Sequence, residues 1–272
     1  MISVILPAHD ESGYIGSCLD ALLASELRGV TAEVIVVANA CADDTATRAR
    51  AFAGRAPGWT VTVLETDQPG KLGALNLGEA AARGDPLVYL DADVCVSPDL
   101  LADLSEVLRG PEARYGSGTP VVTARSRFSS AYARFWTRLP FVAEGVPGFG
   151  LFAVNRAGRA RWGRFPDIIA DDMLVRLHFA PEERIKVAAR YRWPMIEGLA
   201  NLVRVRRRQD RGVQEIAACY PGLMRHAEDD TPGRARVAAL ALRDPLGFGA
   251  YALVKLLVRT RYARGEGWAR GR

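Results

Sequence analysis

Over the first 95 residues, short apolar runs rich in β-branched side chains alternate with stretches of helical period. The runs at residues 3–6, 33–37, 60–64 and 86–90 predict strands. The intervening segments 13–24, 43–53 and 71–82 repeat their apolar positions every three to four residues and predict helices. Alternation at this spacing predicts a parallel sheet covered by helices on both faces. Ser97 as N-cap with Pro98 behind it predicts a helix to about Leu108. Beyond Gly110 the pattern is less regular. It predicts a strand at 119–123, a helix at about 129–137, and a Gly-rich turn and strand over 145–154. A helix from Asp171 to Phe179 and a strand at 184–191 follow, and the remainder reads as mostly helical. The expected organisation is one α/β domain over residues 1–212, in halves 1–112 and 113–212, with a helical C-terminal extension over 213–272.

Composition narrows the class. With 272 residues, 49% hydrophobic and 25% charged, the chain has the make-up of a globular protein and excludes disordered or collagen-like architectures. Cys18, Cys41, Cys95 and Cys219 lie far apart without a C-x-x-C pair, which speaks against a zinc knuckle or a disulfide framework. The start, MISVILPAHDE, lacks the basic segment of a signal peptide, and charge-free apolar stretches reach only about ten residues, short of the roughly 18 of a spanning helix. A cytoplasmic protein is expected. Charge is unevenly spread: residues 1–112 carry 7 basic and 17 acidic side chains, and residues 113–272 carry 29 and 14. The basic half suits an anionic partner, such as phosphate or a membrane surface, although an arginine-rich composition alone would produce the same count.

In an open α/β sheet, ligands bind outside the carboxyl ends of the strands, so the residues after each strand are the candidates. They are Pro7-Ala8-His9-Asp10-Glu11, then Asn39-Ala40-Cys41-Ala42-Asp43-Asp44-Thr45, then Asp67 to Lys71, and finally Asp91-Ala92-Asp93. No G-x-G-x-x-G, G-x-x-x-x-G-K-[ST] or G-x-S-x-G occurs at these places, which removes the commonest dehydrogenase, ATPase and hydrolase readings. Asp91-Ala92-Asp93 is the most informative. Two close carboxylates repel unless a cation bridges them, and hard oxygen ligands suit Mg2+ or Mn2+. Alone, such a pair equally fits aspartates making Asx turns. At the end of the fourth strand of this unit, the metal is the better reading.

Taken together, PAHDE, VVANACADDT, GKLGALNLG and LVYLDADV resemble, in order and spacing, the motifs of the family 2 glycosyltransferases of the GT-A fold. The similarity runs nearly unbroken over residues 2–96 and continues more weakly to about residue 212, through Gly148-Phe149-Gly150 and Ala170-Asp171-Asp172. The resemblance implies a Rossmann-like nucleotide-binding sheet of mostly parallel strands, with residues 1–112 for the nucleotide sugar and 113–212 for the acceptor. It implies an inverting enzyme that moves one sugar from a nucleotide-diphosphate donor to an acceptor hydroxyl. Pro7, Ala8, His9 and Glu11 would line the base and ribose, with Asn39 where the family carries an aspartate that reads the base. Lys71 and Ala92 would lie near the donor, Asp91 would face the ribose or share the metal, and Asp93 would bind the Mn2+ or Mg2+ that bridges the diphosphate. Asp172 would be the general base, with Asp171 capping the helix or facing solvent.

There are departures from the family pattern. The histidine that many relatives supply to the metal is missing from Tyr191-Arg192-Trp193-Pro194-Met195, leaving His178 and His226 as candidates. The Q-x-x-R-W motif of processive relatives is absent, which favours single-sugar transfer. The arginines between 204 and 211 suit either a leaving diphosphate or a solvated basic face. The acceptor would be a small molecule or lipid-linked, and residues 245–264 read either as a core-packing helix with a basic tail or as a peripheral membrane-docking helix. A sugar-phosphate nucleotidyltransferase is the runner-up, but PAHDESGYIG lacks the Gly-rich loop that class requires. A nucleic-acid-binding module ranks lower, because no aromatic platform accompanies the basic residues.

Overall fold

A computed structural model describes residues 1–228 and 232–262. The strands are β1 (Ile2–Ala8), β2 (Ala32–Asn39), β3 (Trp59–Thr66), β4 (Leu87–Leu90), β5 (Cys95–Val96), β6 (Tyr115–Thr123), β7 (Leu151–Val154) and β8 (Arg184–Pro194). They form a single sheet in the order β3-β2-β1-β4-β7-β6-β8-β5. The helices in the first half are α1 (Ile15–Leu23), α2 (Thr45–Arg50), α3 (Lys71–Ala81) and α4 (Leu100–Val107). Then come α5 (Arg127–Trp136), α6 (Pro140–Ala143), α7 (Arg156–Arg159) and α8 (Asp171–Leu177), and finally α9 (Leu199–Cys219), α10 (Arg234–Arg243) and α11 (Pro245–Val258). All four predicted strands and three predicted helices of the first 95 residues are present.

The chain divides into two compact units, residues 1–120 with 148–193, and 121–147 with 194–272. The boundary expected at 212/213 falls inside α9, so residues 199–212 belong with the C-terminal helices.

In the first unit β3, β2, β1 and β4 run parallel, and β7 joins β4 antiparallel. β1 and β2 are buried along their whole length, as strands covered on both faces must be, which explains their continuous apolar runs. Ile2, Val4, Leu6 and Ala8 enter one core with Leu19 and Leu22 of α1. On the other face Gly78 of α3 lies so close to β1 that a Cβ there would sit 2.7 Å from Ile5 Cγ2. Strand order reverses at β1/β4, which is where such sheets open a crevice for ligands.

Three local readings differ from expectation. Ser97 does not cap α4: the helix begins at Leu100, and the Ser97 hydroxyl donates to Asp99 and accepts from Arg190 N on β8. β6 begins at Tyr115, four residues early. Its Gly116 and Gly118 have low strand propensity, yet a Cβ at Gly118 would meet Leu100 Cδ1 at 2.7 Å, so tight helix-on-strand packing selects glycine. β8 runs three residues past the expected 184–191, to Pro194, while the expected Gly-rich turn and strand over 145–154 are present as Gly148 and Gly150 at φ +73° followed by β7.

In the second unit α11 packs one face, Gly247, Ala250 and Val254, against α5 and α9. Asp244 organises this contact. Its carboxylate caps α11 through Gly247 N at 3.0 Å and takes a two-pronged pair of hydrogen bonds from Arg134 at 2.7 and 2.9 Å. The Arg134 guanidinium holds that carboxyl at about 2, against the opposing effect of burial. Its contribution is therefore present above the unfolded aspartate pKa and lost as pH falls through about 2. Asp244→Ala removes the cap and leaves Arg134 unpaired, so urea unfolding is expected to show a loss of about 2–4 kcal/mol. A loss under about 0.5 kcal/mol would mean that α11 is held by its apolar face alone. Two arginines of the α9 run have partners within this unit. Arg207 donates to the carbonyls of Leu257, Val258 and Thr260 at 3.0–3.1 Å, closing the C-terminal end of α11 where a cation is favoured, and Arg206 pairs with Asp210.

Candidate active site at the carboxyl ends of β1 and β4

The residues after β1 and β2 are fastened to each other. Asp10, at φ +50°, accepts from Ala42 N at 2.6 Å and Asp43 N at 3.3 Å. Glu11 N donates to Thr45 Oγ1 at 2.7 Å, and Ser12 N to Asp43 Oδ2 at 3.1 Å. Burial opposes ionisation of Asp43, but hydrogen bonds from Thr45 and Ser12 outweigh it and hold the carboxyl at about 2. The two turns thus form one rigid rim beside the crevice. Pro7 and Ala8 belong to β1 itself, in register with Val37 and Ala38, so they present backbone rather than side chain at that rim.

Asn39 departs from its expected role. It is 3% exposed, its amide donates to Ala8 O at 2.8 Å, and its carbonyl accepts from Gly70 N at 3.2 Å. Both ends of the amide are spent on backbone, which ties β1 to the start of α3 rather than presenting Asn39 to a base. His9 remains at the rim, its Nδ1 2.7 Å from Asn39 O. His9, Asp10 and Cys41 offer ligand atoms within 4.8 Å of one another. Their partners are those of a turn: His9 Nδ1 contacts a carbonyl, Asp10 accepts from backbone amides, and burial pushes the Cys41 thiol up, away from the thiolate a metal needs.

Asp91-Ala92-Asp93 forms the opposite rim. Burial alternates along 91–96: Ala92, Val94 and Val96 enter the core, and Asp91 and Asp93 lie on the half-buried side. Ala92 can therefore meet a ligand only through its backbone. The turn is anchored by Asp91 N donating to Gly150 O at 2.9 Å and Val94 N to Asp91 O at 3.1 Å. The Gly-rich turn that receives it requires its glycines, since a Cβ on Gly148 would fall 1.7 Å from the Tyr115 hydroxyl, and one on Gly150 2.5 Å from Trp193.

Lys71, the first residue of α3, joins the two acidic pairs. Its Nζ is 3.0 Å from Asp91 Oδ1 and 3.0 Å from Asp171 Oδ2. Desolvation opposes its charge, but Asp171, Asp91 and Asp172 outweigh that and hold its pKa above the ordinary lysine value. Its side chain is 40% exposed, so the ammonium faces the crevice as well as its partners. This pairing also settles the role of Asp171. The N-cap of α8 is Ala170, and Asp171 is buried against Lys71, neither capping the helix nor facing solvent. Asp172, next on the helix, has its carboxyl pushed up to about 6 by burial and by the Asp171 charge, with Lys71 opposing.

Sequence reasoning did not single out Asn76. It clips α3 to the chain ahead of α8, donating to Phe165 O at 3.1 Å and accepting from Phe165 N at 2.9 Å. The signal was an amide between Leu75 and Leu77 in the middle of α3. His178 is tied to its own helix through Leu174 O at 2.8 Å and packs on Trp162, while His226 is half-buried beside Arg225. Neither is arranged as a metal ligand by its own surroundings.

Residues 3–161 match the family model described as Glycosyl transferase family 2. A glucosyl-3-phosphoglycerate synthase of Mycolicibacterium paratuberculosis is 39% identical over 94 residues, which cover 34% of this chain and 28% of that protein. The matched stretch thus spans less than a third of that relative's length. Among solved structures, the mannosyltransferase PcManGT from Pyrobaculum calidifontis, in complex with GDP-Man and Mn2+, superposes with a TM-score of 0.61 at 24% identity. That match covers 97% of this chain and 76% of the other. TarS from S. aureus, in complex with UDP-GlcNAc, gives 0.53 at 15% identity, covering 95% and 91%. These likenesses confirm the expected fold, and their enzymes carry nucleotide sugars.

Proposed function

This chain belongs to glycosyl transferase family 2, and on that footing we propose that it transfers a single sugar from a nucleotide-diphosphate sugar to an acceptor hydroxyl with inversion at the anomeric carbon. The observation that supports the reading is the Asp91–Lys71–Asp171 chain of 3.0 Å ion pairs, which joins the turn after β4 to the start of α8 through the first residue of α3. In the proposed reaction Asp172 accepts the proton of the acceptor hydroxyl. The oxygen forms its bond to the anomeric carbon as the bond to the diphosphate breaks, and the electron pair leaves with the nucleoside diphosphate. A single displacement inverts the centre. A carboxyl raised toward neutrality is better matched to this proton transfer than an ordinary aspartate.

The carboxylates suit a hard divalent cation, because Asp91 and Asp93 offer oxygens from one side of a turn, and the nearby Cys18 thiol is pushed up by burial, away from the thiolate a metal would need. In this reading Asp93, with Asp91, would hold Mn2+ or Mg2+, which would supply positive charge to offset that of the diphosphate. Lys71 keeps Asp91 oriented and supplies the fixed positive charge among four carboxylates. Asn39 and the Asp10–Asp43 latch hold the rim rigid for the base and ribose, which would contact His9 and Glu11.

The test is a thermal-shift series with UDP, GDP and dTDP, each with and without Mn2+. Stabilisation of several degrees by one nucleotide, dependent on Mn2+, is the expected result, since a ligand at 100 times its Kd adds about 2.7 kcal/mol. No response to any of the three would overturn the donor assignment.

A further inference from the structure

Helices α10 and α11 carry an apolar surface that the second unit leaves open. No described side chain of α10 is buried, although seven of its ten residues are Val, Ala or Leu between Arg234, Arg236 and Arg243. Leu242 is 85% exposed, Leu246 77% and Leu256 62%, with Leu253 exposed between the last two. At about 100° per residue, Leu246, Leu253 and Leu256 fall within roughly 80° of one another on α11. The helix's buried face, Gly247, Ala250 and Val254, is turned away from them against α5 and α9. The leucine stripe is therefore not the unfinished edge of the unit's own core. It continues into a shallow apolar groove lined by Pro232, Val237, Ala238, Ala241, Leu242 and Phe248.

Within residues 232–262 the charges are nearly all of one sign, although Glu144 of the same unit pairs with Arg236. Residues 232–262 hold Arg234, Arg236, Arg243, Lys255, Arg259 and Arg261 against the single acid Asp244. That acid is buried and committed to Arg134 and Arg138. Arg243, Lys255 and Arg259 are exposed. No helix among the described residues is long and apolar enough to cross a membrane, and α11, at 14 residues, measures only about 21 Å against a hydrocarbon core of about 30 Å. An apolar stripe bordered by cations on a short helix has the make-up of a segment lying in a membrane interface.

We propose that the outward faces of α10 and α11 dock on an anionic lipid bilayer. Leu242, Leu246, Leu253 and Leu256 enter the boundary of the acyl chains, and Arg243, Lys255 and Arg259 meet the headgroup phosphates. The core-packing and membrane-docking readings of this segment then hold on neighbouring faces of the same helix, centred roughly 110° apart. Arg264, at the end of the expected segment, lies outside the described residues. The inference rests on the second unit alone, so it stands or falls separately from the transfer reaction.

The test is flotation of the full chain with vesicles of phosphatidylcholine containing phosphatidylserine, and with phosphatidylcholine alone. Binding to the anionic vesicles at low salt, weakened at about 0.5 M salt, is the expected result. Leu246→Ser with Leu256→Ser should lower partitioning about tenfold or more while the urea midpoint stays within error, because both side chains are exposed. Arg243→Gln with Lys255→Gln and Arg259→Gln should flatten the salt dependence. Absence of binding, equal binding to neutral vesicles, or full binding by the leucine variant would each overturn the proposal. A dimer abolished by the leucine variant, without vesicle binding, would assign the face to a second copy and overturn it equally.

Discussion

Asp172→Asn is expected to cut turnover by about 10²–10⁴-fold, the usual worth of a general base, with donor binding nearly unchanged. The asparagine keeps the shape and cannot take the acceptor proton. What separates this outcome from simple structural damage is the direction of the stability change. The Asp172 carboxyl is raised above its unfolded value by burial and by Asp171, so its ionised form opposes folding at neutral pH. Protonation relieves that, and the fold gains stability as pH falls through about 6. The neutral asparagine should therefore leave Tm at pH 7.5 unchanged or raised. For the unsubstituted protein, kcat/KM should fall tenfold per pH unit below the same value, as the base is titrated. Full turnover in Asp172→Asn, or a Tm lowered by more than a few degrees, would remove Asp172 from the reaction. Asp171→Asn makes the useful contrast. It loses one of the two ion pairs of Lys71, so it should weaken donor binding and kcat together rather than kcat alone.

The two aspartates also show where the sequence was legible and where it was not. The helix from Asp171 was readable, because Met173, Leu174 and Leu177 carry the apolar period. That Asp171 turns inward depends on Lys71, one hundred residues earlier, and no local pattern encodes that pairing. The parallel half of the sheet was readable for a related reason: strands buried on both faces must be apolar throughout, as β1 and β2 are. β5 was not, since two residues hold no period and Cys95–Val96 become a strand only by pairing with β8. Asn39 was misleading because a polar residue ending a strand looks the same from sequence whether it meets a ligand or latches two backbone segments. Asp91 and Asp93 stood out because they follow a strand at its carboxyl end, whereas Asp171 and Asp172 open a helix and were singled out by the family resemblance alone. What fixes their geometry, Lys71, Asn76 and the Gly150 carbonyl, is tertiary and became visible only in the fold.

Asp93→Ala is expected to abolish the Mn2+-dependent part of nucleoside diphosphate binding while the protein stays folded. Asp93 is half-buried at the rim, and the turn that carries it is held by backbone, through Asp91 N, Gly150 O and Val94 N, and by Ala92 and Val94 in the core. Those contacts survive removal of the carboxylate. The loss in metal affinity should exceed the roughly 10–100-fold cost of deleting an outer-shell partner, because a ligand itself is removed. Asp91→Asn should behave differently. Asp91 is shared with Lys71, so its neutralisation both weakens the metal and removes one of the lysine's two ion pairs, and residual nucleotide binding without Mn2+ should change as well. Measured as the Tm increment that Mn2+ adds to saturating nucleotide, the Asp93→Ala increment should vanish while metal-free binding stays at its original level. If the increment persists undiminished in Asp93→Ala, the cation is held elsewhere and the turn after β4 serves only to place Asp91 against Lys71.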